Sequence, residues 1–103
     1  MDKNDVTSNS LTIVAHARAT PGMEALMVAA QQRLVEAAIS SPGCVRYELH
    51  VSNNDPGAVT FIEEWTDRPS WLAHMQSPYM DAFRAAGGQA IAQFSLHEMH
   101  RLA

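Results

Sequence analysis

Apolar and polar residues alternate along four segments of the chain, and each of these segments predicts a β-strand. The first is SLTIVAHARA, residues 10–19, where one face would present Leu11, Ile13, Ala15 and Ala17. A repeat of two residues is typical of a strand whose two faces meet different surroundings. The same alternation occurs over residues 44–51, 58–65 and 89–102. We therefore expect four strands, with residues 52–57 (SNNDPG) as the turn of a hairpin between the second and the third.

A helical repeat separates the first two strands. Thr20 and Pro21 are suited to an N-cap and a first-turn proline, and residues 41–43 (Ser-Pro-Gly) are suited to a helix end. The apolar stripe of this helix would consist of Met23, Leu26, Met27, Ala30, Leu34 and Ala37.

A second helical region follows the third strand and is interrupted. Asp67 is placed to cap a short helix that begins near Pro69, and Ser77-Pro78 is placed to begin another, which Gly87-Gly88 would end. The order is then β-α-β-β-α-β with a broken second helix. Right-handed crossovers turn this order into a ferredoxin-like α+β fold, a four-stranded antiparallel sheet with helices on one face.

The chain is predicted to form one domain, residues 11–103, after a polar, disordered lead at residues 1–10. The helices cover only one face of the sheet, and we expect apolar residues such as Val14, Ile62 and Leu96 on the other face. A second sheet packed against that face would bury them, so the pattern predicts a homodimer.

Charge and cysteine content narrow the classes of partner. The chain has a net charge of −4 and no basic run, which disfavours nucleic acid and anionic membrane surfaces. No apolar stretch approaches the length of a membrane span, and the N-terminus has no apolar signal-peptide core. Cys44 is the sole cysteine, which fits a reducing compartment. These features predict a cytoplasmic protein.

No metal or nucleotide motif is present. The two histidines of His97-x-x-His100 would lie on opposite faces of a strand and could not bind one ion together. The sequence has no cysteine pair, no His-Glu-x-x-His and no phosphate-binding loop. We expect no metal and no cofactor.

Candidate chemistry is concentrated in residues 61–83. Strand alternation places Phe61, Glu63 and Trp65 on one face, and His74 follows on the broken helix with Trp71 three residues before it. A histidine beside an indole and a carboxylate is a plausible proton acceptor. Two interpretations stay open. In one, His74 exchanges a proton with a phenolic substrate; in the other, it only ties the helix to the sheet.

Glu63 has the same two interpretations. It either orients His74 or forms a structural ion pair, for which Arg18, Arg46 and Arg84 are the candidates. Four other polar side chains are candidates for further contacts with a cavity, namely Tyr47, Tyr79, His16 and His50.

Three short motifs in order resemble the antibiotic biosynthesis monooxygenase (ABM) family. They are PGCVRYEL at 42–49, FIEEWTD at 61–67 and AHMQSPYMDAF at 73–83. The features shared with the family are Pro-Gly before strand two, Glu-x-Trp at the end of strand three, and a His followed by Ser-Pro. The resemblance extends over roughly residues 11–100.

The resemblance implies a dimeric α+β barrel with a cavity between sheet and helices in each subunit. It implies cofactor-independent monooxygenation, with O₂, of a small electron-rich aromatic such as a quinol, phenol or anthrone. His74 and Glu63 would be catalytic. The substrate would contact Trp65, Trp71, Phe61, Tyr47 and Tyr79.

Two other functions suit the same fold. An isomerase or a binding module for a small hydrophobic metabolite would need the same cavity and one titratable group. The second is haem degradation, for which related proteins use a histidine in the last helix and an asparagine on strand one. Here that helix reads PYMDAFRAAGG, without a histidine, and strand one has no asparagine, which disfavours haem degradation.

Overall fold

The computed structural model describes residues 10–103, so the predicted disordered lead lies outside the described residues except for Ser10. The elements along the chain are β1 (Leu11–Ala19), α1 (Glu24–Ala38), β2 (Cys44–Val51), β3 (Ala58–Trp65), α2 (Arg68–Met75), α3 (Pro78–Gly87), a short 3₁₀ turn (Gly88–Ala90) and β4 (Ile91–Met99). None of the helices in this described part is long and apolar enough to cross a membrane.

The four strands form one antiparallel sheet in the order β2-β3-β1-β4. The two central strands are β1 and β3, paired so that Val14 lies opposite Ile62, and β4 adds to the other edge of β1. Helix α1 packs on β2 and on α3. The ferredoxin-like α+β fold predicted from the sequence is confirmed.

Local hydrogen bonds explain where the helices of the second region begin. The Asp67 carboxylate accepts the backbone N–H of Ser70 at 2.8 Å, and the Ser77 hydroxyl accepts that of Met80 at 3.2 Å. Each cap is followed by a proline in the first turn. Both predicted caps are confirmed, and they fix the break between α2 and α3.

The predicted start of α1 at Thr20 was wrong. The Thr20 carbonyl accepts the Met23 backbone N–H at 2.9 Å in a turn, and the helix begins only at Glu24, without a side-chain cap. Gly22 has a φ of 85°, a left-handed conformation that a right-handed helix cannot contain. The turn therefore separates the proline from the helix.

The core lies between the sheet and the helices. Strand β3 buries every second residue, including Phe61 and Trp65, and β1 buries Ile13 and Ala15 on the same face. Leu34 of α1 packs against this cluster from above. The alternation predicted for β1 and β3 is confirmed.

The predicted face of Leu96 was wrong. Leu96 is paired with the buried Ala15, and paired residues of antiparallel strands project to the same side of the sheet. Leu96 therefore lies under the helices, whereas Val14 and Ile62 lie on the open face as expected. Alternation shows which residues of a strand share a face, but the register with β1 decides which face it is.

Two glycines with positive φ offer a matched test of the contact between β2 and α2. A Cβ at Gly43 (φ 80°) would collide with the Ser70 side chain, whereas a Cβ at Gly22 (φ 85°) would meet nothing within 4 Å. We expect Gly22→Ala to lower the free energy of unfolding by about 1 kcal/mol from backbone strain. Gly43→Ala adds overpacking and should lower it by about 2–4 kcal/mol. Urea denaturation of both variants measures the difference, and equal losses would show that the Ser70 contact is unimportant.

Candidate active site

A cavity of about 270 Å³ lies between the helix face of the sheet and the three helices. Its wall is largely apolar and includes side chains from all three helices and from each strand. Its polar lining residues are Gln31, Tyr47, Glu63, His74 and Arg84. Such an apolar cavity with a few convergent polar groups is the usual form of a small-molecule site.

The structure brings together four of the seven residues singled out from the sequence. Glu63, His74, Phe61 and Tyr47 all line the cavity. The other three, Trp65, Trp71 and Tyr79, lie outside its wall.

The Glu63 carboxyl is buried, with 4% of the residue exposed. Its Oε1 accepts the indole N–H of Trp65 at 2.9 Å, so the two residues of the Glu-x-Trp motif are bonded to each other. Burial raises the pKa of Glu63 to about 7, although the Trp65 and Tyr47 donors partly oppose this by favouring the charged form. Close to neutral pH the carboxyl is therefore divided between its protonated and ionised forms.

The ion pair considered for Glu63 is not formed. The three arginines that were its candidate partners bind other carboxylates: Arg18 binds Asp55 at 2.8 Å, Arg46 binds Glu48 at 2.7 Å, and Arg84 binds Asp81 at 3.2 Å. These arginines are about half exposed, and they find their partners at the surface.

His74 is buried, with 2% of the residue exposed, and its ring begins a hydrogen-bonded chain of two hydroxyl groups. Its Nδ1 forms a hydrogen bond with the Tyr79 hydroxyl, which in turn lies 2.6 Å from the Ser41 Oγ. Its Nε2 is buried and has no hydrogen-bond partner among the described residues. The interpretation that Glu63 orients His74 was wrong. The Glu63 carboxyl bonds Trp65, and the helix break at Ser77 places the Tyr79 hydroxyl at the imidazole Nδ1.

The imidazole of His74 is neutral at pH 7. Burial lowers the pKa of His74 to about 4, and the positive charge of Arg84 adds to the effect. The Trp65 ring lies 4.7 Å from the imidazole and the Tyr47 ring 5.4 Å, measured between centroids. The ring is thus fixed on three sides by Trp65, Tyr47 and Tyr79.

Trp65 and Trp71 differ in their relation to the site. Trp65 is fully buried behind the cavity wall and contacts both Glu63 and His74. Trp71 packs in the core, with the Arg68 guanidinium 5.6 Å above its ring. Neither indole lines the cavity, so both are placed less well for direct substrate contact than the sequence predicted.

Two histidines considered as cavity contacts lie on the open face instead. His16 Nδ1 is 2.9 Å from the Thr60 hydroxyl, and His50 Nε2 is 2.9 Å from Glu48. Among residues 10–103, no group of three or more His, Cys, Asp or Glu side chains is arranged to hold a metal ion.

Two polar lining residues, Gln31 and Arg84, were missed as site residues. Gln31 lies within the apolar stripe of α1, between Met27 and Leu34, and is fully buried. A polar residue at helical spacing within an apolar stripe was a signal available in the sequence. Arg84 was considered only as an ion-pair partner; its Nη2 donates to the Met75 carbonyl at 3.0 Å, which holds it at the cavity.

A family model, described as antibiotic biosynthesis monooxygenase, matches residues 10–86, most of the chain. The chain belongs to the antibiotic biosynthesis monooxygenase family. The resemblance seen in its sequence motifs is confirmed. No curated protein matches the chain.

Solved structures of similar proteins share the ABM fold over nearly their whole length. A protein from Pseudomonas aeruginosa is 25% identical, with 94% of this chain and 98% of that one covered and a TM-score of 0.88. A structure described as an antibiotic biosynthesis monooxygenase is 26% identical, with coverage of 90% and 99% and a TM-score of 0.84. A protein from Shewanella oneidensis is 26% identical, with coverage of 90% and 91% and a TM-score of 0.83.

In this ABM-family chain, the hydrogen bond between Tyr79 and His74 should contribute more to stability than the hydrogen bond between Ser41 and Tyr79. Tyr79→Phe removes the hydroxyl and leaves the buried Nδ1 without a partner, which should lower the free energy of unfolding by about 1–3 kcal/mol. Ser41→Ala removes only the outer, half-buried hydrogen bond and should lower it by less than about 1 kcal/mol. Urea denaturation measures both, and an equal or larger loss for Ser41→Ala would contradict this assignment.

Proposed function

We propose that this chain is a cofactor-independent monooxygenase that oxidises a small phenol or quinol with O₂. The observation that supports this most is the pair of titratable groups in the cavity, a buried carboxyl with a pKa of about 7 and a neutral imidazole with an unpartnered Nε2. Titratable groups whose pKa values are shifted apart in an apolar cavity are characteristic of acid–base sites.

The volume of the cavity limits the size of the substrate. A closed apolar cavity of about 150 Å³ is enough to hold benzene. The cavity here, at about 270 Å³, suits one substituted ring or two fused rings. A third ring, as in an anthrone, would have to project through the opening, so we favour the smaller classes.

Glu63 is the better placed of the two groups to act as the base. A general base is most effective when its pKa is close to the working pH, and the pKa of Glu63 is about 7. With a pKa of about 4, His74 is a weak base at neutral pH and is better suited to hydrogen-bonding the substrate oxygen. The proposed roles are thus proton acceptor for Glu63 and hydrogen-bond partner for His74.

The reaction then balances without a metal or flavin. Glu63 takes the phenolic proton, and the phenolate transfers one electron to O₂, which gives an aryloxyl radical and superoxide. These combine at a ring carbon that carries hydrogen. Protonation of the resulting peroxide, loss of that hydrogen as a proton and cleavage of the O–O bond leave a quinone and one molecule of water. All four electrons that reduce O₂ come from the substrate, and the protein contributes orientation, proton transfer and exclusion of water.

The proposal keeps the homodimer and the cytoplasmic location predicted from the sequence. On the open face of the sheet, Val14 and Ile62 are adjacent across the β1–β3 pair and only half-buried. A second sheet over this face would cover them, and the cavity on the opposite face would stay free.

Replacing the proposed base should remove both activity and its pH dependence. With a folded-state pKa of about 7, the ionised fraction of Glu63 grows as pH rises, so kcat/KM for 1,5-dihydroxynaphthalene should rise between pH 6 and 8 and then level. Glu63→Gln keeps an oxygen that can accept the Trp65 N–H but cannot take a proton. We expect kcat/KM to fall about 100-fold or more and the rise with pH to disappear.

The matched control is Glu64→Gln, which changes the next carboxylate on the opposite face of the same strand. It should keep both the rate and the pH profile of the unmodified protein. A Glu63→Gln variant with the full rate and an unchanged profile would refute the role of Glu63 as base.

The requirement for oxygen separates this function from its alternatives. With 1,5-dihydroxynaphthalene we expect one O₂ consumed for each hydroxynaphthoquinone formed, no hydrogen peroxide, and no product under nitrogen. An oxygen electrode and product absorbance measure this stoichiometry. Conversion of the substrate under nitrogen to a product of unchanged mass would indicate an isomerase, and tight binding without any turnover would indicate a binding module.

A further inference from the structure

Three polar or charged side chains are buried among residues 10–103, and all three line the same cavity. They are Gln31, Glu63 and His74. Elsewhere in this described part, polar side chains keep more contact with solvent. The buried indole N–H of Trp71, which also has no hydrogen-bond partner among the described residues, lies outside this cavity.

Gln31 differs from the other two because none of the residues that the structure describes satisfies its amide. It is 0% exposed, yet neither its Oε1 nor its Nε2 has a hydrogen-bond partner in the described residues. Glu63, in contrast, is held by Trp65, and one side of His74 is held by Tyr79. A buried amide without a partner is unfavourable, so its presence in the apolar stripe of α1 needs a reason other than packing.

The helix around Gln31 shows that an apolar side chain would suit the position. Its neighbours along the buried stripe are Met27, Ala30, Leu34 and Ala38. Methionine is similar in length and shape to glutamine and is already used in this stripe. An amide kept here points to a ligand that supplies its missing partner.

The unpartnered groups occur on two different elements of the cavity wall. Gln31 belongs to α1, and the free Nε2 of His74 belongs to α2. A ligand with a single oxygen would satisfy one of them and leave the other unpaired. A ligand of two fused rings suits the volume of about 270 Å³ and can carry an oxygen on each ring, one for each unpartnered group.

We propose that Gln31 is a specificity-determining residue that hydrogen-bonds a second oxygen substituent of a bicyclic aromatic ligand, while His74 and Glu63 receive the first. The amide can donate to a carbonyl or a hydroxyl and can accept from a hydroxyl. This inference rests on the proposed function for the identity of the reacting oxygen, but the binding preference itself requires no reaction.

Equilibrium binding under nitrogen tests the proposal without turnover. The probes are naphthalene, 1-naphthol and the 1,5-, 1,6- and 1,7-dihydroxynaphthalenes, which carry one hydroxyl on each ring. Calorimetry or the fluorescence of the two tryptophans measures their binding. We expect at least one dihydroxynaphthalene to bind the unmodified protein about fivefold more tightly than 1-naphthol, the effect of one net hydrogen bond. In Gln31→Met this preference should vanish, while the affinity for 1-naphthol should change less than about twofold.

Thermal unfolding of the free protein distinguishes a ligand-binding role from a structural one. Gln31→Met removes an unsatisfied amide and should leave the melting temperature unchanged or raise it. The matched control is Gln32→Met, the same change at the next residue, which is exposed and lines a different surface groove. This control should keep the preference for the second oxygen.

Three results would overturn the proposal. One is a wild-type protein that binds no dihydroxynaphthalene more tightly than 1-naphthol, or binds none of the probes. Another is a preference that survives in Gln31→Met. The third is a clear drop in the melting temperature of Gln31→Met, which would show that the amide is satisfied within the protein, for example by buried water. A confirmed preference with no oxygen consumption would support the role of Gln31 and refute the monooxygenase proposal.

Discussion

The site depends on one constraint, the burial of the Glu63 carboxyl against the indole N–H of Trp65. Strand alternation requires both side chains to project under the helices, where water cannot solvate the charged carboxylate. The resulting shift of the Glu63 pKa, from 4.5 to about 7, corresponds to a destabilisation on the order of 3 kcal/mol once the carboxylate is ionised. One such group is a large fraction of the stability of a small domain. Natural proteins keep such unfavourable groups where function needs them.

The rest of the site is arranged around that carboxyl by local features of the chain. The caps at Asp67 and Ser77 divide the second helical region into α2 and α3. This break turns the chain so that Tyr79, five residues after His74, meets the imidazole Nδ1. With Nδ1 held from the helix side, Nε2 is left as the free nitrogen in a residue that lines the cavity. A continuous helix would lack the Ser77 turn that makes this contact.

The fold could be predicted from the sequence to a large extent, because its main determinants are local. Alternation identified the strands, and the Asp67 and Ser77 caps identified α2 and α3. Two errors came from effects that a periodic pattern does not contain. The start of α1 was moved by the left-handed Gly22, and the face of Leu96 was set by the register between β4 and β1.

The site was less predictable, because its hydrogen bonds depend on three-dimensional geometry. The sequence indicated that Glu63 and His74 would be near each other, and both do line the cavity. It did not indicate which group would bond to which. Trp65 was close enough on the same strand to satisfy Glu63, and Tyr79 was brought to His74 by the helix break. Gln31 was overlooked because one polar residue in an apolar stripe looks like a defect until both its neighbours and its missing partners are known.

The electrostatics of the cavity favour moving a charge over creating one. Separating a proton from a phenol in an apolar cavity would be costly if it left two new charges. In the proposed reaction, ionised Glu63 would take that proton, the number of charges would stay the same, and one negative charge would move from the carboxylate to the substrate oxygen. The carboxylate is already disfavoured by burial, so in that reaction part of the free energy needed to form a phenolate would be present before the substrate binds. Arg84, whose positive charge lowers the pKa of His74, acts on the same region and would stabilise the phenolate. The neutral state of His74 would then have a clear advantage, because an imidazolium in the same cavity would favour the ionised form of Glu63 and weaken it as a base.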